Sequence, residues 1–182
     1  MIRLSLNAEI LEKLDKRIYE FLKDNIDIMP MRLVKLIANY YTDARIRAKY
    51  YERLGVKMGT NTYPNLGMKI IPSEESICLE IGKNVSLGPN ITFICCSSPN
   101  NGREIMELPY IKNKLVKSGR IIVEDEVWIG AGVTILPDIR IGKCAVIGAG
   151  SIVLEDIEPY CVYAGTPAKK IRNLKTGARK KN

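Results

Sequence analysis

Val123-Glu124-Asp125-Glu126-Val127-Trp128-Ile129-Gly130-Ala131-Gly132 decides the reading of this chain, because the pattern it begins runs on to Val153 with a period of six. Aliphatic residues fall at Val123, Ile129, Ile135, Ile141, Ile147 and Val153 without a break, and Ile81 and Leu87 show the same step upstream. Glycine follows at once at Gly82, Gly88, Gly130, Gly142 and Gly148. Four places after each aliphatic stands a small or β-branched residue: Val85, Ile91, Val127, Val133, Ile139, Ala145 and Ser151. A helix would spread positions i and i+6 about 120° apart around its axis. A flat strand would bring them to one face but leave the glycines unexplained. A chain that turns a corner at every hexad accounts for both, with the aliphatic side chains pointing into a prism and glycine accepting strained backbone angles at the corners. Three hexads then close one coil, stacking Ile129 on Ile147 and Ile135 on Val153 about 4.8 Å apart. Each coil buries its apolar face only on its neighbours.

Working outward, the period changes on the N-terminal side. Ile10, Leu11, Leu14, Ile18, Phe21 and Leu22 recur at helical spacing, Met29-Pro30 interrupts, and a second helical stretch carries Leu33, Ile37, Tyr40, Tyr41, Ile46, Tyr50 and Leu54. Gly55 stands where a helix-terminating glycine is expected. The aromatics of this second stretch are read as packing surface in preference to a ligand box. The expected organisation is a helical segment over 1–55, an all-β solenoid over 56–173 and a basic tail over 174–182. The solenoid is broken once, by a loop at about 95–119 that contains Pro99, Asn100, Asn101 and Gly102. So long an insertion in a regular repeat is read as an active-site flap, with a tolerated surface insertion as the alternative.

Composition excludes several chemistries. The 182 residues contain no histidine, which removes His-ligated zinc, Ser-His-Asp triads and any histidine base. Five cysteines, Cys78, Cys95, Cys96, Cys144 and Cys161, lack CxxC spacing and point to reduced thiols and a cytoplasmic location. Met1-Ile2-Arg3-Leu4 leads into a charged segment, not the apolar core of a leader, and no apolar run is long enough to span a bilayer. The net charge of +8 owes four positives to Lys175, Arg179, Lys180 and Lys181, read as a solvated, disordered tail. No nucleic-acid-binding pattern accompanies them, while a small polyanionic ligand would suit the modest positive field.

The run Val123–Gly132, with Ile147-Gly148-Ala149-Gly150-Ser151 and Ala164-Gly165-Thr166-Pro167-Ala168-Lys169, resembles the hexapeptide-repeat acyltransferases, in particular the O-acetyltransferases of maltose, galactosides and cell-surface sugars. The resemblance covers roughly residues 55–173. It implies a left-handed parallel β-helix, a homotrimer, and acetyl-CoA as co-substrate in the cleft between two prisms, with a sugar or glycan hydroxyl as acceptor and no metal. Ala131 and Ala149 are similar in position to the small residues that contact CoA in that branch. Lys169 and Arg172, with Lys170 nearby, match its phosphate-binding cations, which suits the chemistry of a pyrophosphate. Tyr63-Pro64-Asn65 is similar to its Tyr-x-Asn, making Asn65 a candidate acceptor contact; read without the family, Asn65 is a turn residue and the alanines are small for packing.

The catalytic part departs from the family. Its histidine position falls on Ser98 by one count and on Cys96 by another. A serine hydroxyl holds its proton too tightly to act as a base near neutral pH. A thiol beside a positive neighbour could act as a base or take up the acyl group covalently. Alternatively Cys95 and Cys96 simply alternate inward and outward as small hydrophobes. Glu104 or Glu107 would serve if desolvated. Two functions follow: an acetyl-CoA-dependent O-acetyltransferase with an unusual catalytic group, or a catalytically inactive trimer with a binding or scaffold role. A zinc carbonic anhydrase is excluded for want of histidine, and a nucleotide-sugar pyrophosphorylase is disfavoured because no dinucleotide-type domain precedes the repeat.

Overall fold

Three helices open the chain in the computed structural model, which describes residues 2–73 and 77–179. Helix α1 spans Ile2–Asp24, α2 Met31–Tyr40 and α3 Ala44–Glu52. Pro30 stands at the N-cap of α2, where its fixed φ suits the turn into a helix. The stretch expected as one helix from Leu33 to Leu54 is two, because Asp43 caps α3 by accepting hydrogen bonds from the backbone N–H groups of Arg45 and Ile46. Gly55, at φ 81°, ends the segment in the left-handed region. Val34, Ile37, Ala38, Ile46, Tyr50 and Tyr51 form the buried face of α2 and α3. By contrast, Ile10, Leu11, Leu14, Ile18 and Phe21 of α1 remain 44–63% exposed, and of its apolar run only Leu22 enters the core. Helical periodicity identifies such a helix without saying what covers it. No helix among the described residues is long and apolar enough to cross a membrane.

The rest is a left-handed parallel β-helix of short strands. These are β1 (Val56–Met58), β2 (Lys69–Ile71), β3 (Leu79–Ile81), β4 (Ser86–Leu87), β5 (Thr92–Ile94), β6 (Ile121–Val123), β7 (Trp128–Ile129) and β8 (Thr134–Ile135). They continue as β9 (Arg140–Ile141), β10 (Val146–Ile147), β11 (Ile152–Val153), β12 (Cys161–Ala164) and β13 (Lys169–Asn173). The first sheet runs β1-β3-β6-β9, the second β4-β7-β10-β12-β13 and the third β2-β5-β8-β11. Every pairing is parallel except β12 with β13. The register stacks Leu87, Ile129 and Ile147 in one ladder and Phe93, Ile135 and Val153 in another, as the six-residue period requires. Residues four places after each aliphatic are buried as well, from Val85 to Ser151, so two side chains per hexad fill the prism.

The corners correct one expectation. Positive φ occurs three places after the aliphatic, at Asn84, Asn90, Glu126, Gly132, Asp138, Cys144 and Gly150. The glycines directly after the aliphatics have a different reason. An alanine methyl at Gly88 would lie 2.6 Å from the backbone N of Ala131, and one at Gly130 would lie 2.5 Å from that of Ala149. Successive coils touch backbone to backbone there, and only hydrogen fits between them.

The three outer faces differ. Along the first sheet Lys57, Glu80, Ile122 and Arg140 stand in register, with ion pairs Lys57–Glu80, Arg120–Glu80 and Arg140–Glu124. The second presents Ser86, Trp128, Val146, Val162 and then Arg172. The third presents Lys69, Thr92, Thr134 and Ile152. At the C-terminus, residues 174–179 are not the loose tail expected. Leu174 N–H donates to Tyr160 O at 2.7 Å, and the Lys175 ammonium sits 3.7 Å from the Tyr160 ring centroid. Residues 180–182 lie outside the described residues.

Candidate functional site

The corner between the second and third sheets collects four of the residues singled out in the sequence: Asn65, Ala131, Ala149 and Lys169. Asn90 N–H donates to Leu66 O at 3.0 Å, Gly132 N–H to Pro89 O at 2.9 Å, and Gly150 N–H to Ala131 O at 2.8 Å. Leu66, Pro89, Ala131 and Ala149 therefore follow one another down a single edge of the prism, at about 4.8 Å per coil, with Asn65 immediately before Leu66. Ala131 and Ala149 are exposed. Side chains at Gly132 and Gly150 would meet nothing within 4 Å, so this stretch of the edge is methyl groups and bare backbone. The line continues through Ala164, which packs on Gly148 and pairs in register with Lys169. An exposed ammonium thus stands two rungs beyond Ala149.

Lys170 and Arg172 are placed differently. Lys170 Nζ donates to Glu158 at 2.5 Å, and that hydrogen bond holds its ammonium protonated above the usual lysine range. The Tyr163 hydroxyl also reaches Glu158, at 3.3 Å, and its pKa is raised by burial and then by the Glu158 charge. Together with Asp156, Lys169 and Arg179 these residues line a cleft of about 560 Å³ beside the β12–β13 hairpin. Arg172 pairs with Val162 and is half-buried.

At the upper end of the edge, Asn65 is exposed, and its amide is partly engaged: Oδ1 accepts from Leu66 N–H at 2.8 Å and Nδ2 donates to Leu87 O at 3.4 Å. The turn reading and an outward-facing amide are both present in this one residue. Tyr63 beside it is 48% exposed, while Pro64 between them is buried.

Cys96 and Ser98 lie elsewhere. They follow β5 at the corner between the third and first sheets, where the inserted loop leaves the prism. The loop is stapled at its base: Cys96 bridges Ser118 in antiparallel fashion, Ser97 N–H donates to Lys117 O at 2.9 Å, and Gly119 N–H to Cys95 O at 2.9 Å. Beyond the staple come a short helix, α4 (Arg103–Glu107), and a π-helical turn, Ile111–Leu115. Cys95 points inward and donates its S–H to Cys78 O at 3.1 Å, while Cys96 is half-buried, the alternation expected of a strand. Cys96 Sγ lies 3.5 Å from Ser98 Oγ, which lies 3.3 Å from Asn100 Oδ1. In the sequence Asn100 is marked only as a residue of the inserted loop. Glu104 and Glu107 are exposed on α4, so neither is desolvated. At about 3.3 Å per residue, the run from Asn90 to Cys96 spans roughly 16–20 Å of the third face. Within one chain the Ala131–Ala149 edge and the Cys96–Ser98–Asn100 chain sit on opposite sides of that face.

Sequence reasoning also passed over Arg47. It falls between Ile46 and Tyr50 on the inward side of α3 and is 3% exposed. Its position in the buried helical phase was the available signal, masked by the charge.

Residues 120–155 match the bacterial transferase hexapeptide family (six repeats). The chain is 31% identical to galactoside O-acetyltransferase of Lactococcus lactis subsp. lactis over 146 residues, 78% of this chain and 66% of that protein. It is 37% identical to galactoside O-acetyltransferase of Escherichia coli K12 over 119 residues, 65% of this chain and 54% of that one. The chain spans 44–66% of the length of these and similar relatives. Among solved structures, galactoside acetyltransferase in complex with coenzyme A superposes with a TM-score of 0.62 at 28% identity, covering 79% of this chain and 78% of that one. A hexapeptide-repeat acetyltransferase of Vibrio cholerae O1 biovar eltor complexed with acetyl coenzyme A shares the fold, with a TM-score of 0.62 at 24% identity over 85% of this chain and 88% of that one.

Proposed function

The chain belongs to the hexapeptide-repeat acyltransferases, and from that membership we propose that it transfers the acetyl group of acetyl-CoA to a hydroxyl of a sugar or polysaccharide precursor. One observation carries the proposal: Ala131, Gly132, Ala149 and Gly150 leave a strip of open backbone that ends at Lys169. A slender pantetheine arm fits such a strip, where a larger side chain would stand in its way. Lys169, with Arg172 behind it, supplies cations for the phosphates at the solvent end. Lys170 joins them only by giving up Glu158.

Acetyl-CoA supplies an activated thioester; the protein's share is to align it with the acceptor and to receive the hydroxyl proton. Asn65, at the top of the same edge, offers an amide to a sugar hydroxyl. Of the Cys96–Ser98–Asn100 chain, Cys96 is the member whose side-chain type ionises within reach of neutral pH, since thiols titrate near 8.5 while serine and asparagine do not. The Cys96 thiol donates to Ser98 Oγ, which donates in turn to Asn100 Oδ1. Alignment alone is worth several kcal/mol of barrier, and loss of a dedicated base costs about 10²–10⁴-fold, so slow turnover is expected.

The homotrimer reading is supported by the faces. The ion-paired first sheet suits solvent, whereas the second and third sheets, which flank the edge, carry Trp128, Val146, Val162, Thr92, Thr134 and Ile152. A second copy packed there brings its own Cys96 and Ser98 towards this chain's edge and closes the 16–20 Å gap estimated from strand rise. Five cysteines without CxxC spacing suit the cytoplasm.

The test is acceptor-dependent release of free thiol from acetyl-CoA across a panel of hexosides. Failure to bind CoA at millimolar concentration overturns the proposal. CoA binding without turnover on any hydroxyl acceptor favours the inactive, ligand-binding trimer that the absence of histidine suggests.

A further inference from the structure

Arg47 is a buried cation whose hydrogen-bond partners, among the described residues, are backbone carbonyls and no carboxylate. Its guanidinium donates to the backbone carbonyls of Tyr41 at 2.5 Å, Thr42 at 2.7 Å and Pro64 at 2.7 Å. Nε has no partner among the described residues, and burial lowers the pKa of the group. Burying a charge is costly unless hydrogen bonds and favourable dipoles offset it. Two of the three acceptors supply that offset, because Tyr41 and Thr42 lie just past the C-terminus of α2, where the helix dipole favours a cation. A helical segment that needed only packing would place an aliphatic side chain here. The third acceptor shows what the charge adds. Pro64 is the buried residue between exposed Tyr63 and exposed Asn65, and the carbonyl two residues on, that of Leu66, receives Asn90 N–H. The top coil has no second-sheet strand of its own: the first sheet begins with β1, the third with β2, and the second only with β4. Residues 59–68 therefore cross that face without a strand ladder above β4; the side chains of Thr62 and Asn65 tie them to the next coil, and Arg47 holds Pro64 from the helical side.

We infer that Arg47 is a positioning residue, which clamps Pro64 C=O and so holds Tyr63 and Asn65 at the acceptor end of the second–third edge. The acceptor role rests on the transferase reading above; the clamping does not.

The experiment compares the full chain with Arg47→Met and Arg47→Lys. Hydrogen–deuterium exchange of peptides covering 60–68 should rise in Arg47→Met, with peptides covering 121–153 unchanged. In steady-state assays with acetyl-CoA and methyl β-galactoside, Arg47→Met should raise the acceptor KM about tenfold, the worth of one lost hydrogen bond to a charged group, and leave the acetyl-CoA KM alone. Arg47→Lys keeps the charge but loses the fork, so it should fall between, and it carries the test if the methionine variant fails to fold. Unchanged exchange at 60–68 in a folded variant overturns the clamp. A drop in kcat with both KM values unchanged, or equal rises in both, overturns the positioning of the acceptor. No turnover by the wild-type chain sinks the transferase reading and the acceptor role with it, while the exchange comparison separately decides whether Arg47 holds the segment.

Discussion

Replacing Gly130 or Gly132 by alanine separates two reasons for a glycine at a β-helix corner. At Gly130 the new methyl would lie 2.5 Å from Ala149 N and 2.8 Å from Ala149 Cα, both backbone atoms of the next coil. Neither can rotate away. The coils must separate locally, straining the Gly130 N–H to Ile147 O hydrogen bond of 2.8 Å and the register of Trp128 with Val146. Overpacking costs about 1–3 kcal/mol, and an obstruction made of backbone puts this case near the upper end, about 3 kcal/mol. At Gly132 the methyl would meet nothing, and the cost is that of φ +67° for a residue with a Cβ, about 1 kcal/mol. For a chain of this length 1 kcal/mol moves the melting temperature by about 2–4 °C, so Gly130→Ala should fall by roughly 6–12 °C and Gly132→Ala by about 2–4 °C. Both are to be measured by thermal unfolding at one fixed protein concentration, because the melting temperature of any oligomer depends on it. Equal losses, or the larger one at Gly132, would refute the assignment of close approach to Gly130 and of conformation to Gly132.

Three further outcomes are expected. Gly132→Asn places a side chain on the open edge in a conformation that Asn90 already adopts one coil above, so it should leave stability nearly unchanged while weakening CoA affinity in calorimetry; undiminished affinity would place the pantetheine arm elsewhere. Asp43 is held at about 2 by hydrogen bonds from the Arg45 side chain and from the α3 N-terminus. Its depressed pKa gives stability that is present above about pH 4 and lost as pH falls towards 2; solvent exposure limits the effect to about 1 kcal/mol, and Asp43→Ala should remove that part of the pH dependence in urea melts. If Cys96 takes the proton or the acyl group, Cys96→Ala and Cys96→Ser should both lower turnover at saturating substrates, by about 10²-fold or more, with CoA binding intact; serine performing as well as cysteine would assign the site to positioning alone.

The ladder of inward residues was readable from the chain because it is a local regularity. Ile129, Ile135, Ile141 and Ile147 each repeat the role of the one before, and a fixed step along the chain becomes a fixed step around the prism. The motif residues were readable for the same reason, each sitting at a set offset within its hexad. Local offsets misled once, at the glycines. Position i+1 and position i+3 both lie at a corner, and only the stacked coils distinguish the one pressed against its neighbour from the one with positive φ. The helices were legible as helices, but Asp43 interrupts the second by a side-chain cap that periodicity does not register. Arg47 belongs to a helix rich in basic residues, Ala44–Glu52, where its charge masks its place in the buried phase.

Sequence alone determined that the chain coils by sixes, that its core is a stack of aliphatic ladders, and which residues ride at the corners. Tertiary structure decided which corners those residues share. Asn65, Ala131, Ala149 and Lys169 come from four different coils and meet on one edge, whereas Cys96 and Ser98, nearer to Asn65 in sequence than Ala131 is, end on another. The physical reason is that a hydrogen-bonded parallel coil converts separation along the chain into an angle around an axis. Neighbours in space are then set by how the coils stack and where the loop interrupts them, a property of the closed prism that no single hexad carries.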